Sequence, residues 1–360
     1  MVVTGALSYF TVWPLLAWAK KVNAPIDATA SELPLLEAIL TRLEAETFDC
    51  PRLQELQTPL TLATAQPSQQ LRDLRTLADW YSSRLNPLFL PIALLLLWDV
   101  QFALRFEAWR ARSGPLIAKW LHAIAELEAL SSLAAYAFEN PADPFPNVLE
   151  TPEPQFDGHA IGHPLLAHDK SVRNDVRFGG ATRLLMISGS NMSGKSTILR
   201  SVGVNIVLAL AGAPVRATSL TLSPMAIGAT MRVQDSLQDG KSRFFAEVTR
   251  VRAVLDRANG PKPPVLFLFD ELFAGTNSAD RLIGAEAVLR KLLDLGAVGL
   301  VTTHDLALTE AADRLGNRVV NVHFADQLTH GEMSFDYTMR PGIVPHGNGI
   351  ALMRAVGLDV

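Results

Sequence analysis

Apolar residues in the first part of the chain recur at the spacing of α-helices. After Ser31, leucine and isoleucine return every three or four positions. The same spacing continues through residues 69–85, 90–112 and 115–138, and few glycines interrupt it. This pattern predicts long packed helices over residues 31–140, forming an all-α lever-like domain rather than a catalytic fold.

Further along the chain the pattern changes. Prolines cluster in residues 141–154 and mark a domain boundary, so we expect a helical domain in residues 1–150 and a second domain in residues 151–360. In the second domain, short β-branched and aliphatic runs alternate with helical stretches; the runs are residues 184–188, 265–269 and 299–303. That alternation predicts an α/β domain with a mainly parallel central sheet.

The N-terminal residues 1–19 carry no charge and are followed by Lys20 and Lys21. Such a stretch is near the minimum length of a membrane span, and the flanking lysines are typical of one. Polar residues and Pro14 interrupt it, however. The single cysteine, Cys50, excludes an internal disulfide and fits a reducing compartment. We therefore expect a cytoplasmic protein, with a hydrophobic membrane anchor in residues 1–19 as the alternative.

The overall composition permits a well-buried core, since 49% of the residues are hydrophobic and only 19% are charged. A length of 360 residues suits about two domains. The formal net charge of −4 does not favour general binding to a phosphate backbone. Any contact with DNA must then come from a local patch or from a partner.

The strongest chemical signal is the segment GSNMSGKS at residues 189–196, which satisfies the Walker A pattern G-x-x-x-x-G-K-[ST]. It follows the strand-like run LLMIS and precedes a helix-like run, as a P-loop requires. Lys195 is expected to neutralise charge on the β- and γ-phosphates of ATP, and Ser196 to ligate Mg²⁺. The expected nucleotide-binding residues are Gly189, Ser190, Asn191, Met192, Ser193, Gly194, Lys195, Ser196 and Thr197.

Two later strand-like runs end in residues suited to hydrolysis. The run VLFLF is followed by Asp270 and Glu271, the Walker B arrangement. Asp270 is expected to hold Mg²⁺ through water, and Glu271 to orient or deprotonate the attacking water. The next run ends near His304, which could sense the γ-phosphate and position the water. A lone histidine is more often a core or surface residue; its place after the Walker B strand favours the functional interpretation.

Between the Walker motifs, residues 235–244 read DSLQDGKSRF, a turn rich in Ser and Gly before a helix. Because the chain's own P-loop already holds a nucleotide, the economical geometry is a head-to-tail dimer in which Ser242 completes the partner's site. The turn GTNSAD at residues 275–280 would lie along the same interface. Ordinary polar turns are the alternative for each segment.

The order of these motifs is shared by ABC-type ATPases, but the residues within the motifs point to a narrower group. SGSNMSGKST, DSLQDGKSRFFAEV, FDELFAGTNSADR and TTHD closely resemble the ATPase domain of MutS-family proteins, and the resemblance covers residues 155–358. It implies an ABC-type P-loop NTPase fold that takes ATP and Mg²⁺, in a homodimer or heterodimer. It also implies that Asn191 contacts the nucleotide, that Ser242 reaches the partner's γ-phosphate, and that Val172 and Tyr337 pack on adenine.

The DNA-reading parts of the family have no recognisable counterpart in the sequence. Nothing resembles the mismatch-reading domain with its Phe-x-Glu wedge, and the helices before residue 150 resemble part of the core or lever domain. We expect a shortened MutS-like protein or a piece of a longer one. The implied function is ATP hydrolysis coupled to movement of a helical arm, in DNA mismatch repair or the binding of unusual DNA. The alternative is a nucleotide-switched scaffold, with or without membrane attachment, that does not read DNA.

Overall fold

The computed structural model describes residues 2–61, 66–231, 243–261, 263–329 and 332–344. The chain forms two compact units, which divide between Ser132 and Leu133. This division falls inside one long helix. The domain boundary expected after residue 150 lies further along the chain and stays a prediction.

The first unit is built from helices. They are α1 (Val2–Thr29), α2 (Leu33–Ala45), α3 (Pro51–Thr61), α4 (Pro67–Ser82), a 3₁₀ turn at Ser83–Leu85, α5 (Leu90–Leu95) and α6 (Trp98–Glu139). Their core is apolar and aromatic, with Leu40, Leu60 and Phe102 almost completely buried. Trp109 joins α6 to α4, since its indole Nε1 donates a hydrogen bond to the carbonyl oxygen of Gln70 at 2.8 Å.

Helix α6 differs from the sequence-based expectation of separate helices before and after Pro115. It runs through this proline without ending. The buried positions Ser113 and Trp120 on either side are seven residues apart, which is two helical turns. Because the buried stripe stays in register across Pro115, packing of both flanks outweighs the lost backbone hydrogen bond.

Helix α1 begins at Val2, inside the uncharged N-terminal stretch, and contains Pro14 and Pro25. Among the residues that the structure describes, no helix combines the length and the apolar character needed to cross a bilayer.

In the part of the second unit that the structure describes, there are two sheets and four further helices. The elements are β1 (Asn147–Val148), β2 (Gln155–Ile161), β3 (Asn174–Gly179), β4 (Leu184–Ser188), α7 (Lys195–Leu210), β5 (Ser219–Leu222), β6 (Ala226–Thr230), α8 (Arg243–Ala258), β7 (Val265–Asp270), α9 (Ser278–Asp294), β8 (Val298–Thr303), α10 (Leu306–Arg314), β9 (Val319–Thr329) and β10 (Glu332–Pro341). The smaller sheet has the order β1-β5-β2-β3 and the larger the order β10-β9-β4-β8-β7-β6. Among the described strands of the larger sheet, β10 pairs with β9 antiparallel and the other pairings are parallel.

The central strands of the larger sheet are covered on both faces, as continuous apolar runs predict. In β4, Leu185 and Ile187 pack on the side of α7, whereas Leu184 and Met186 pack with residues of α8, α9 and α10. The second unit is therefore an α/β domain with a mainly parallel sheet, preceded by a helical region, as expected.

The carboxyl ends of the parallel strands meet at one edge of this sheet. The register pairs Asp270 at the end of β7 with Thr302 in β8, and Ser188 at the end of β4 with Thr303. Ligands of open α/β sheets bind at this edge, and the residues singled out in the sequence follow these strands.

Candidate nucleotide-binding site

The glycine-rich loop, residues 189–194, connects β4 to α7 and needs unusual backbone angles. Gly189, Met192 and Gly194 have positive φ values of 149°, 71° and 105°. A Cβ atom on Gly189 would lie 2.9 Å from the carbonyl oxygen of Phe324, too close for any side chain. Gly194 is the N-cap residue immediately before α7, so the amino end of that helix opens onto the loop.

Lys195, the first residue of α7, is held under this loop. Its Nζ donates hydrogen bonds to the carbonyl oxygens of Gly189 at 2.9 Å and Ser190 at 2.6 Å. Only 5% of the residue is exposed. Burial lowers the pKa of the Lys195 ammonium, and the charges of Glu271 and Asp270 oppose that shift. A fixed cation is therefore placed beside the loop that the sequence marked for phosphate binding.

Two loop hydroxyls are left without partners. Within the described part of the chain, Ser190 Oγ and Ser193 Oγ are buried and accept or donate no hydrogen bond. A buried polar group without a partner costs about 1–3 kcal/mol. Phosphate oxygens are strong acceptors and would satisfy both hydroxyl donors, so the loop suits a phosphorylated ligand.

The predicted metal ligands lie side by side. Ser196 Oγ donates to Asp270 Oδ1 at 3.0 Å, and Thr302 Oγ1 donates to the same oxygen at 2.6 Å. Mg²⁺ is usually held by one or two protein oxygens together with phosphates and waters. No group of three or more His, Cys, Asp or Glu side chains suited to a metal occurs among the described residues. The donor set therefore fits Mg²⁺ that arrives with a phosphate ligand.

Glu271 and His304 are adjacent at the open side of the site. His304 Nδ1 lies 3.3 Å from Glu271 Oε1, and the two side chains are 47% and 30% exposed. Glu271 has a φ of +52°, a strained value for a residue with a Cβ. Its N–H is held by Thr302, with the side-chain Oγ1 at 3.0 Å and the carbonyl oxygen at 3.2 Å. Thr302 thus fixes both acidic residues at the end of β7.

One cavity of about 520 Å³ joins most of these residues. The site residues predicted from the sequence that line this cavity are Val172, Asn191, Met192, Gly194, Lys195, Ser196, Thr197, Glu271 and Tyr337. Gly189, Ser190 and Ser193 belong to the same loop. Asp270 is hydrogen-bonded to the lining residue Ser196, and His304 lies beside the lining residue Glu271. Ser242 and the segment around it lie outside the described residues, so its predicted role in a partner's site stays a prediction.

Tyr337 reaches the cavity because Asn174 shapes the strand that carries it. The pairing of β10 with β9 is interrupted between Phe335 and Met339. Asn174 Nδ2 donates to the carbonyl oxygen of Tyr337 at 3.0 Å, and Asn174 Oδ1 accepts from the N–H of Met339 at 2.6 Å. A Cβ on Gly194 would lie 3.3 Å from Tyr337 Cδ1, so the ring lies against the glycine-rich loop.

Sequence reasoning missed one part of the cavity lining. Ile161, His163 and Leu166 line the cavity, and nothing in their spacing distinguishes them from ordinary core or surface residues. Burial, assisted by the charge of Arg200, lowers the pKa of the His163 imidazole, so this side chain is neutral at pH 7. Thr302 could have been found, because it belongs to the same TTHD run as His304.

Comparison with known proteins gives a consistent match. Residues 185–359 match the family model described as MutS domain V. Similar curated proteins include a DNA mismatch repair protein MutS from Streptococcus equi subsp. equi, 32% identical over 66% of this chain and 28% of its own length. A DNA mismatch repair protein MutS 2 from Halobacterium salinarum is 32% identical over 66% of this chain and 27% of its own length. A DNA mismatch repair protein MSH3 from Phaeosphaeria nodorum is 34% identical over 64% of this chain and 21% of its own length. The chain thus spans about a quarter of the length of the curated relatives it matches.

Proposed function

This chain belongs to the MutS family through its domain V, and we propose that it binds ATP with Mg²⁺ and hydrolyses the ATP to ADP and phosphate. The observation that carries this proposal is the cavity in which the buried Lys195 ammonium faces the same space as the Glu271 carboxylate. The two serine hydroxyls left without partners in the loop support a phosphate ligand there.

The roles of the loop residues follow from their chemistry. The N–H groups at the start of α7 and the Lys195 ammonium offset the negative charge of the β- and γ-phosphates. Ser196 and Asp270 would hold Mg²⁺, which neutralises the charge that develops on the phosphate oxygens. This assignment fits P-loop NTPases of the ABC type.

The hydrolytic step requires a water held by a base near the γ-phosphate. Glu271 serves as this base, orienting the water and accepting its proton as the new bond to phosphorus forms and the bond to the β-phosphate oxygen breaks. His304, 3.3 Å from Glu271 Oε1, positions the carboxylate and the water. Thr302 holds Glu271 in its strained backbone conformation and is a positioning residue.

The base of the nucleotide occupies the apolar end of the cavity. Val172 and Tyr337 are 46% and 43% exposed, and both line the cavity. Apolar and aromatic side chains left open to a cavity suit stacking on a purine, which is worth about 1–3 kcal/mol per base at an aromatic ring. We assign adenine to this end.

Replacement of Lys195 tests the ATP site. Lys195→Ala removes the buried cation and should abolish detectable binding of MgATP in equilibrium titrations with a fluorescent ATP analogue. Lys291→Ala, which removes an exposed lysine on α9, is the matched control and should bind as the wild type does. Equal binding by Lys195→Ala and the control would contradict the assignment of the loop.

We further propose that two chains associate head to tail, as a homodimer or a heterodimer, so that Ser242 acts on the nucleotide of the partner. Ser242→Ala should lower ATP turnover while the isolated chain keeps its affinity for ATP. An equal loss of ATP binding by the monomer would argue against a role in the partner's site. Sedimentation with and without ATP reports whether nucleotide promotes the association.

The process in which the ATPase acts is proposed from kinship. The relatives above are named as DNA mismatch repair proteins, and we propose that ATP-dependent movement of the helical arm modulates binding to mismatched or unusual DNA. Binding to mismatched, branched and plain duplexes should depend on ATP at several salt concentrations. Absence of any ATP-dependent binding would favour a nucleotide-switched scaffold that does not read DNA.

A further inference from the structure

A buried ion pair lies in the second unit, outside the residues assigned to ATP. Arg216 Nε is 2.9 Å from Asp143 Oδ2, and the two side chains are only 2% and 0% exposed. Taking two charges out of water is costly, and such a pair often adds little to stability compared with apolar residues. Its fixed geometry therefore invites a functional explanation.

On one side, Tyr136 near the end of α6 and the following Asn140 form hydrogen bonds with the pair. The hydroxyl of Tyr136 donates to Asp143 Oδ2 at 2.7 Å. Arg216 Nη2 donates to Asn140 Oδ1 at 2.7 Å, and the N–H of Asn140 donates to the carbonyl oxygen of Tyr136 at 3.0 Å. Burial, with the hydrogen bond to Asp143, raises the pKa of Tyr136 to about 12, so the phenol keeps its proton and remains the donor.

On the other side, the backbone of Arg216 is hydrogen-bonded to Gly162. The N–H of Gly162 donates to the carbonyl oxygen of Arg216 at 2.8 Å. The carbonyl oxygen of Gly162 accepts from Asn205 Nδ2 at 2.9 Å, and Asn205 Oδ1 accepts from the N–H of Arg216 at 2.7 Å. Both backbone polar groups of Gly162 are thus committed to this network.

Gly162 also leaves little space for a side chain. A Cβ at this position would lie 3.0 Å from Arg216 Cγ and 3.0 Å from Ser171 Oγ. Its neighbours Ile161 and His163 line the nucleotide cavity, and so does Ser171. The wall of the cavity formed by residues 161–163 is therefore packed directly against Arg216.

A second branch of the network ends in α7, the helix that begins at Lys195. Asn205 Nδ2 donates to the carbonyl oxygen of Ser201 at 2.8 Å as well as to Gly162. Ser201 Oγ donates to the carbonyl oxygen of Thr197 at 2.8 Å, and both of these residues line the cavity. Asn205 is completely buried, so this branch is shielded from solvent.

We propose that Arg216 and Asp143 are positioning residues for the nucleotide. They fix the cavity wall at residues 161–163 relative to the last turn of α6. The inference rests on the proposed ATP site and adds a residue pair that touches neither the nucleotide nor the reacting water. Affinity for the adenine end of ATP and the placement of the last turn of α6 then depend on each other, because coupling between two sites is reciprocal.

Steady-state kinetics of full-length variants tests this inference. Asp143→Asn removes the charge, and Tyr136→Phe removes one hydrogen bond while leaving the ion pair intact. We expect the KM for ATP to rise about tenfold in Asp143→Asn and about threefold in Tyr136→Phe, in line with lost hydrogen bonds to charged groups. The kcat should stay within about twofold of the wild-type value, since Glu271 is not touched. Tyr81→Phe, at a buried tyrosine of the first unit, is the matched control and should change neither.

Inorganic triphosphate separates wall positioning from a general loss of structure. This probe has no base, so its inhibition constant against ATP hydrolysis should be the same in the wild type and in Asp143→Asn. A variant that is merely less folded would show a lower kcat at an unchanged KM. That pattern, or equal weakening of ATP and inorganic triphosphate, would overturn the inference.

Hydrogen exchange measures the effect of ATP on the end of α6. Saturating ATP should slow exchange of the Asn140 amide in the wild type and leave it unchanged in Tyr136→Phe. If the wild-type chain binds ATP and both Asp143→Asn and Tyr136→Phe keep the wild-type KM, this inference alone is overturned. Failure of the wild-type chain to bind ATP would instead overturn the proposed function, and the inference with it.

Discussion

Thr302 offers the sharpest test of how the acidic end of β7 is organised. This residue is fully buried. Its Oγ1 donates to Asp270 Oδ1 at 2.6 Å and accepts from the N–H of Glu271 at 3.0 Å. Thr302→Val keeps the shape of the side chain and removes both interactions, so any change can be assigned to the hydroxyl.

The expected magnitude follows from these two contacts. A hydrogen bond to a charged group contributes roughly 1.5–3 kcal/mol. The N–H of Glu271 keeps the carbonyl oxygen of Thr302 at 3.2 Å, so it is not left unpaired. We therefore expect a loss of about 2 kcal/mol in the free energy of unfolding, or about 4–8 °C in Tm for a domain of this size.

The effect on turnover should be larger than the effect on ATP binding. Glu271 has a strained φ of +52° and loses one of its two anchors, whereas Thr302 does not line the cavity. Displacement of a reacting group by about 1 Å can cost about 100-fold in rate. We expect kcat to fall about 10- to 100-fold, with the KM for ATP little changed.

Thr309→Val is the matched control for this experiment. Thr309 is also fully buried, and its Oγ1 donates to the carbonyl oxygen of Leu306 at 2.6 Å within α10. Urea unfolding and steady-state phosphate release are measured on both variants. A Thr302→Val protein with wild-type kcat, or a kcat no lower than that of Thr309→Val, would refute the role assigned to the hydroxyl.

Two further predictions concern the base end of the cavity and the acid stability of the second unit. Tyr337→Ala should raise the KM for ATP about tenfold or more through lost stacking, and a wild-type KM in this variant would contradict the adenine assignment. Hydrogen bonding from Arg314 lowers the pKa of Glu286, so this contact stabilises the fold above the ordinary glutamate pKa of about 4.3 and is lost at lower pH. The wild type should therefore unfold at higher urea than Glu286→Gln at pH 7, with a difference that narrows as the pH falls below about 4.3; a constant difference would contradict the linkage.

The sequence was most informative where local pattern alone determines structure. The apolar runs at residues 184–188, 265–269 and 299–303 lie in β4, β7 and β8, because strands buried on both faces are continuously apolar. The smaller sheet was not predicted. Its strand β2 contains Gly158 and a bulged Ala160 with a φ of +49°, so pairing with distant strands, rather than propensity, makes it a strand.

The candidate site divides in the same way. The loop residues and the Asp270–Glu271 pair are consecutive in the chain, and their motifs carry their spacing. Asn174 acts through contacts with residues more than 160 positions away, and Thr302 bonds Asp270 from 32 positions away. Such contacts leave no periodic signal in a single sequence. The role of Asn174 therefore emerges only from the folded structure, and the TTHD run points to Thr302 without showing that it bonds Asp270.

Glu271→Gln tests the central claim, that the chain hydrolyses the ATP it binds, most directly. ATP binding and phosphate release are measured on the same preparations of the wild type and the variant. The account predicts that the variant keeps wild-type affinity for MgATP while phosphate release falls at least about 100-fold, the contribution of a general base. Phosphate release at the wild-type rate by Glu271→Gln would contradict it.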